Sequence, residues 1–142
     1  MREHNGKIYI EENKHDLNEL LEIVAILRSP EGCSWDRVQT FESMKECLTN
    51  ESQEVIDAID KKDYVNLLEE LGDVLLQVLL NAEIASEKGL FNFNDVVQTL
   101  SEKLIRRHPH VFGDVKRPET PEEALALWKS VKAIEKARKE KR

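Results

Sequence analysis

The sequence predicts an all-α protein, an antiparallel bundle of about five helices, on three observations. Apolar residues recur at three- and four-residue spacing through several long segments, and no segment alternates as a strand would. Only 5 Gly and 4 Pro punctuate 142 residues, too few for the turns of a sandwich or barrel. Hydrophobic residues make up 40% and charged residues 35%, a mix that can bury one core and that excludes wholesale disorder.

The elements follow in order. Residues 1–15 read as a loosely ordered polar arm, 16–135 as one helical domain and 136–142 as a charged tail. The first helix begins at Leu17, with Asp16 as cap, and carries Leu20, Leu21, Val24 and Leu27 on one face. Pro30 and Gly32 stop it and open a turn-rich loop that holds Trp35. The second helix runs from after Thr40 to near Ile59, and Asp60-Lys61-Lys62-Asp63 connects it to a third, from Tyr64 to near Ser86, with Gly89 just past its end. Asn92 or Asn94 caps a fourth, with Val96, Val97, Leu100 and Leu104 as its core stripe, ended by Pro109. Thr120-Pro121-Glu122-Glu123 starts a fifth: Thr as cap, Pro at the first helical position, Glu three after the cap.

Composition also narrows the function. The longest apolar run, Val74 to Leu80, is interrupted by Gln77, so no transmembrane span is expected. The first residues lack the apolar stretch of a signal peptide, and Cys33 and Cys47 make no disulfide framework. These features predict a cytoplasmic protein. The net charge of −7 argues against nucleic acid as the main partner, while a small anionic ligand needs only one local basic cluster.

The third helix is unusual. Leu75 and Leu79 lie within about 20° of Leu68, with Glu70 and Asp73 roughly opposite. Val74, Leu76, Val78 and Leu80 fill most of the remaining circumference, leaving a narrow polar strip of Asn66, Glu70, Asp73, Gln77 and Asn81. A surface helix should show one apolar stripe and one broad polar face. Burial on two sides predicts a subunit interface, with Leu76 and Leu80 in it; a central helix of a monomeric bundle is the alternative.

Two carboxylate pairs stand at one-turn spacing: Glu51 and Glu54 on the second helix, Glu70 and Asp73 on the third. In an antiparallel hairpin the two pairs fall at similar heights on either side of the turn near Asp60. Four ionised acids cannot stay together without a cation, and an all-oxygen ligand set selects Mg²⁺ or Mn²⁺ over Zn²⁺. The plainer account is a solvated acidic face with salt bridges. Lys103 and Arg107, four apart, suit phosphate oxygens or simply complement a helix C-terminus. Trp128 and Lys132, also four apart, offer a ring to stack on a base and a charge for a phosphate, or else a core tryptophan; Trp35 carries the same two readings.

These residues, in this order, resemble the MazG family of nucleoside triphosphate pyrophosphohydrolases, from about Leu20 to Lys132. Glu51-x-x-Glu54 and Glu70-x-x-Asp73 look like the family's metal motif, E-E-x-x-E followed by E-x-x-D. Lys103-Leu104-Ile105-Arg106-Arg107-His108-Pro109-His110-Val111-Phe112 is similar to a long family stretch, and Cys33-Ser34-Trp35-Asp36 resembles its C-P-W-D loop. Asn50 stands where the first Glu usually lies and Ser34 where Pro does. The resemblance implies a Mg²⁺-dependent hydrolase, with Mn²⁺ as a possible substitute. It would convert (d)NTPs to (d)NMP and pyrophosphate in nucleotide-pool house-cleaning. It implies Glu51, Glu54, Glu70 and Asp73 as catalytic metal ligands, and Lys103, Arg107, Trp128 and Lys132, with Trp35 in the loop, as substrate contacts. It also implies a homodimer or dimer of dimers. The other function class is a non-catalytic, dimeric helical regulatory or interaction module whose acids bind a structural cation or nothing.

Overall fold

The computed structural model describes residues 1–140; Lys141 and Arg142, the last two positions of the expected charged tail, lie outside them. Two compact units are present, Met1–Phe93 and the segment from Asn94 onward.

The first unit opens with a hairpin, β1 (Glu3–His4) paired antiparallel with β2 (Lys7–Ile8), where a loosely ordered arm was expected. Asn5 and Gly6 take left-handed backbone in its turn, at φ 53° and 78°. Lys7 and Tyr9 tie this hairpin to the next helix through Glu19 and Glu22.

That helix, α1 (Leu17–Arg28), starts where the sequence predicts, with the Asp16 carboxylate accepting from the Glu19 backbone N–H at 2.9 Å. The following loop contains a short helix, α2 (Ser34–Arg37), that the sequence pattern did not signal. Gly32 is required before it, because a Cβ there would lie 2.1 Å from the Ile26 carbonyl oxygen. The Arg28 guanidinium donates to the backbone carbonyls of Asp36 and Gln39 and pairs with Glu87, holding this loop against α1.

The two long helices are α3 (Phe41–Asp60) and α4 (Tyr64–Glu87). Thr40 caps α3 in a capping box with Ser43, and Asp63 caps α4 by accepting from the Asn66 N–H. Residues 61–63 join them, with Lys62 in left-handed conformation at φ 55°. So tight a connection makes the helices antiparallel neighbours. The core of the unit is Val24, Met44, Leu79, Leu80 and Ile84, with Leu20, Leu21, Phe41, Cys47, Leu76 and Phe93 packed around it.

Here the expectation for α4 needs correcting. Leu76 and Leu80 face this internal core instead of a subunit interface; Leu80 is only 2% exposed. The apolar surface left open on α4 is a different stripe: Tyr64, Leu68, Leu71, Leu75 and Val78, with Leu68 76% exposed. These residues repeat at four, three, four and three, the spacing of a helix seam. The remaining turns of α4 are covered by α1 and α3.

The second unit carries all but the first residue of α5 (Phe93–Arg107), a short α6 (Pro109–Phe112) and α7 (Pro121–Glu140). α5 begins directly after Asn92. At the start of α7, Thr120 Oγ1 accepts from the Glu123 N–H, while the Glu123 carboxylate accepts from the N–H of Glu119. α6 turns His108-Pro109-His110 into helix, so the described residues contain seven helices in place of the expected five. None is long and apolar enough to cross a membrane.

Candidate metal centre and cation cluster

Carboxylates three residues apart leave a helix from the same face one turn apart. α3 presents Glu51 and Glu54 in this way, α4 presents Glu70 and Asp73, and the short connection brings the pairs to the same height. Each of the four contributes a carboxylate oxygen to a set lying within 4.8 Å of one another. Glu51, Glu70 and Asp73 are partly buried and Glu54 is exposed. Asn50, the departure from the family pattern, is exposed beside them.

The electrostatics are those of a site short of positive charge. Glu51 Oε2 and Glu70 Oε2 are buried without a hydrogen-bond partner among the described residues. The Glu70 carboxyl is pushed up to about 7, first by its hydrogen-bonding contact with the Glu54 carboxylate, then by burial and the charges of Asp73 and Glu51. Glu51 is raised as well, chiefly by burial and then by Glu54 and Asp73. One turn beyond Asp73, Gln77 is buried and its Oε1 also lacks a partner. An all-oxygen, under-neutralised set with unpaired buried acceptors fits a hard divalent cation such as Mg²⁺ or Mn²⁺.

The second unit gathers the cations. The Arg107 guanidinium lies 5.2 Å from the Trp128 ring centroid, and Lys132 Nζ also lies 5.2 Å from it. Glu135 accepts from Arg107 Nε at 3.1 Å and Nη2 at 2.9 Å, both on Oε2, and from Arg106 Nε on Oε1. Two guanidinium groups on one carboxylate hold it at about 2, well below the ordinary range. Lys103 is half-buried one turn before Arg107. Trp35 is 57% exposed on α2. Sequence reasoning thus named Arg107, Trp128 and Lys132 but missed Glu135. The available signal was that Glu135 follows Lys132 by three and Trp128 by seven, on the same face of α7.

Comparison with known proteins places this arrangement. Residues 39–112, which include all four carboxylates together with Lys103 and Arg107, match the MazG nucleotide pyrophosphohydrolase domain. The chain is 54% identical over 121 residues to the nucleoside triphosphate pyrophosphohydrolase/pyrophosphatase MazG of Thermotoga maritima, covering 85% of this chain and 46% of that protein. It is 45% identical over 126 residues to the nucleoside triphosphate pyrophosphohydrolase of Escherichia coli K12, covering 88% of this chain and 48% of that protein. It therefore spans about half the length of these relatives. A crystal structure of a mazG-related protein from Thermotoga maritima superposes with a TM-score of 0.67 at 34% identity, over 82% of this chain and 99% of the other. A matched domain centred on the carboxylate hairpin, and a fold shared along nearly the whole of a solved relative, lead to one conclusion: the chain belongs to the MazG nucleotide pyrophosphohydrolase family.

Proposed function

We propose that this chain is a Mg²⁺-dependent hydrolase that splits a (d)NTP and water into the (d)NMP and pyrophosphate, in the cytoplasm. The observation that carries the reading is the set of four carboxylates with unpaired buried oxygens and a carboxyl pushed up to about 7 by the Glu54 carboxylate, by burial and by its acidic neighbours. The names of the relatives point the same way.

Glu51, Glu54, Glu70 and Asp73 would hold the ion. Bound Mg²⁺ would supply charge at the phosphate oxygens and make water a stronger nucleophile at neutral pH. The chain's own groups do the rest. Water attacks the α-phosphorus, the bond to the α,β-bridging oxygen breaks, and pyrophosphate leaves with that oxygen. Glu69, or whichever ligand carboxylate is not fully engaged, takes the proton of the attacking water. Lys103, Arg107 and Lys132 neutralise the leaving pyrophosphate. Trp128 and Trp35 offer flat surfaces to the base or sugar.

The same proposal includes a homodimer or dimer of dimers. The seam-spaced stripe Tyr64, Leu68, Leu71, Leu75 and Val78 is open on α4, on the opposite side of that helix from Glu70 and Asp73. A second copy covering it leaves the carboxylates accessible. Sedimentation at micromolar concentration tests this: wild type runs as a dimer or larger, and Leu68→Lys shifts to monomer. A wild-type monomer sinks it.

The activity is tested by pyrophosphate release from a mixture of nucleoside triphosphates, with and without Mg²⁺. Release that requires Mg²⁺ is expected. No release under either condition would favour a helical interaction module.

A further inference from the structure

The geometry points to Glu135 as a positioning residue that fixes the Arg107 guanidinium against the Trp128 ring, so that its remaining edge is preset for a phosphate. This rests on the reading of Arg107 as a phosphate contact.

Glu135 is a charge in an unfavourable place for an anion site. Arg106, Arg107 and Lys132 form a cationic group, and an anionic ligand would be drawn best by all three unopposed. Glu135 instead sets a mostly buried carboxylate among them, with its side chain 11% exposed and that of Arg107 12% exposed. The contact is shaped as well as charged. Glu135 Oε2 takes both Nε and Nη2 of Arg107, occupying one edge of the planar fork. Oε1 is held by Arg106, so the carboxylate cannot swing away. The guanidinium plane is thereby held near the indole at 5.2 Å, and among the described residues Arg107 Nη1 makes no hydrogen bond. Trp128, Lys132 and Glu135 share one face of α7, so ring, ammonium and carboxylate present one common surface. The arrangement gives up one unit of attraction for a guanidinium that need not search for its orientation when the ligand arrives.

This separates three accounts. If Glu135 only neutralises charge, Glu135→Gln binds triphosphate more tightly, lowers KM and keeps kcat. If it only stabilises the fold, Glu135→Gln lowers Tm and leaves kcat per folded molecule unchanged. If it positions Arg107, Glu135→Gln lowers kcat about tenfold with KM unchanged or lower, because the misplaced guanidinium meets the departing charge badly. Glu135→Asp keeps the charge but falls short of the fork, so it should show the same loss. Arg107→Lys, which retains charge but cannot take the two-point bond, supplies the test should Glu135→Gln fail to fold.

The decisive measurement is a double-mutant cycle on kcat for one nucleoside triphosphate, well below each variant's Tm, with Arg107→Ala, Glu135→Gln and the pair. Positioning through Arg107 predicts that the pair is no worse than Arg107→Ala alone. Additive losses, or a wild-type kcat in Glu135→Gln, overturn the inference. Wild-type turnover in Arg107→Ala would instead remove the phosphate reading on which it rests. A second readout needs no turnover. In a Trp35→Phe background Trp128 is the sole indole, and Glu135→Gln should change its emission as the guanidinium leaves the ring. Unchanged emission also counts against the proposal.

Discussion

The chain contains carboxylates in two opposite circumstances. On α3 and α4, four acids meet one another, and Glu70 is pushed up to about 7. On α7, one acid meets two guanidinium groups, and Glu135 is held at about 2. Both Glu70 and Glu135 are only partly exposed, so burial does not separate them; the sign of the neighbouring charge does. A carboxylate whose partners are built into the fold is already satisfied and acts on those partners. A carboxylate among its own kind stores repulsion that a bound proton or an external cation relieves. The second arrangement suits a cation, and the first a support.

The largest effect should come from removing a charge at the unsatisfied cluster. Asp73→Asn keeps shape but withdraws one anionic donor, and Mg²⁺-dependent turnover should fall by about 100-fold, the upper end of losses for disturbed metal shells. Helicity by circular dichroism should be retained. Undiminished turnover at limiting Mg²⁺ would remove Asp73 from the ligand set.

Next in size is the cation cluster. Arg107→Ala should depress kcat/KM for all four ribonucleoside triphosphates by similar factors, about tenfold or more, because every substrate presents the same phosphates. Trp128→Ala should raise KM unevenly among the bases, by amounts up to those of about 1–3 kcal/mol per stacked base. Equal losses across the four bases, together with a lower Tm, would return Trp128 to a packing role.

The two regions should also respond to pH with opposite signs. Glu70 holds its proton more tightly folded than unfolded, moving from 4.5 to about 7, so metal-free stability falls as pH rises through that window. On the proposed reading Mg²⁺ would bind the deprotonated cluster, so the Tm gained on adding Mg²⁺ should grow from pH 5 to pH 8, a span of about one unit either side of that window's upper half. Glu135 is the reverse: lowered from 4.5 to about 2, its contribution is complete above 4.5 and disappears as pH falls toward 2. The Tm difference between wild type and Glu135→Gln should therefore vanish in acid. Thermal melts across pH decide both: a Tm gain from Mg²⁺ that does not grow between pH 5 and pH 8, or a wild-type advantage over Glu135→Gln that persists as pH falls toward 2, would undo the comparison. The smallest effect belongs to Asn50→Glu. Adding an exposed acid beside an intact ligand set should change turnover by less than about twofold, since surface substitutions seldom matter energetically. Loss of Mg²⁺ dependence there would mean that the ligands are misassigned.

Much of this was legible in the residues. The caps Asp16 and Thr120 mark helix starts because a short side chain accepting from a nearby N–H is a local event. The carboxylate set was legible because one-turn spacing and a short hairpin connection fix side-chain height with little help from the rest of the fold. The hairpin at residues 3–8 was not, since two-residue strands leave no alternation to detect. Nor were α2 and α6, each a single turn without periodicity.

By itself, then, the sequence determined the five long helices, their order and the convergence of Glu51, Glu54, Glu70 and Asp73, all consequences of spacing within one helix or across one tight turn. Only the tertiary structure decided which side of α4 is covered. Val74 to Leu80 is apolar nearly all round, and periodicity cannot say that Leu80 meets Val24 and Met44 in the core while Leu68 and Leu75 remain open. It also decided that Glu135 would clasp Arg107, 28 residues earlier in the chain. Such a pairing depends on how two helices face each other, and charge has no periodicity from which to read it.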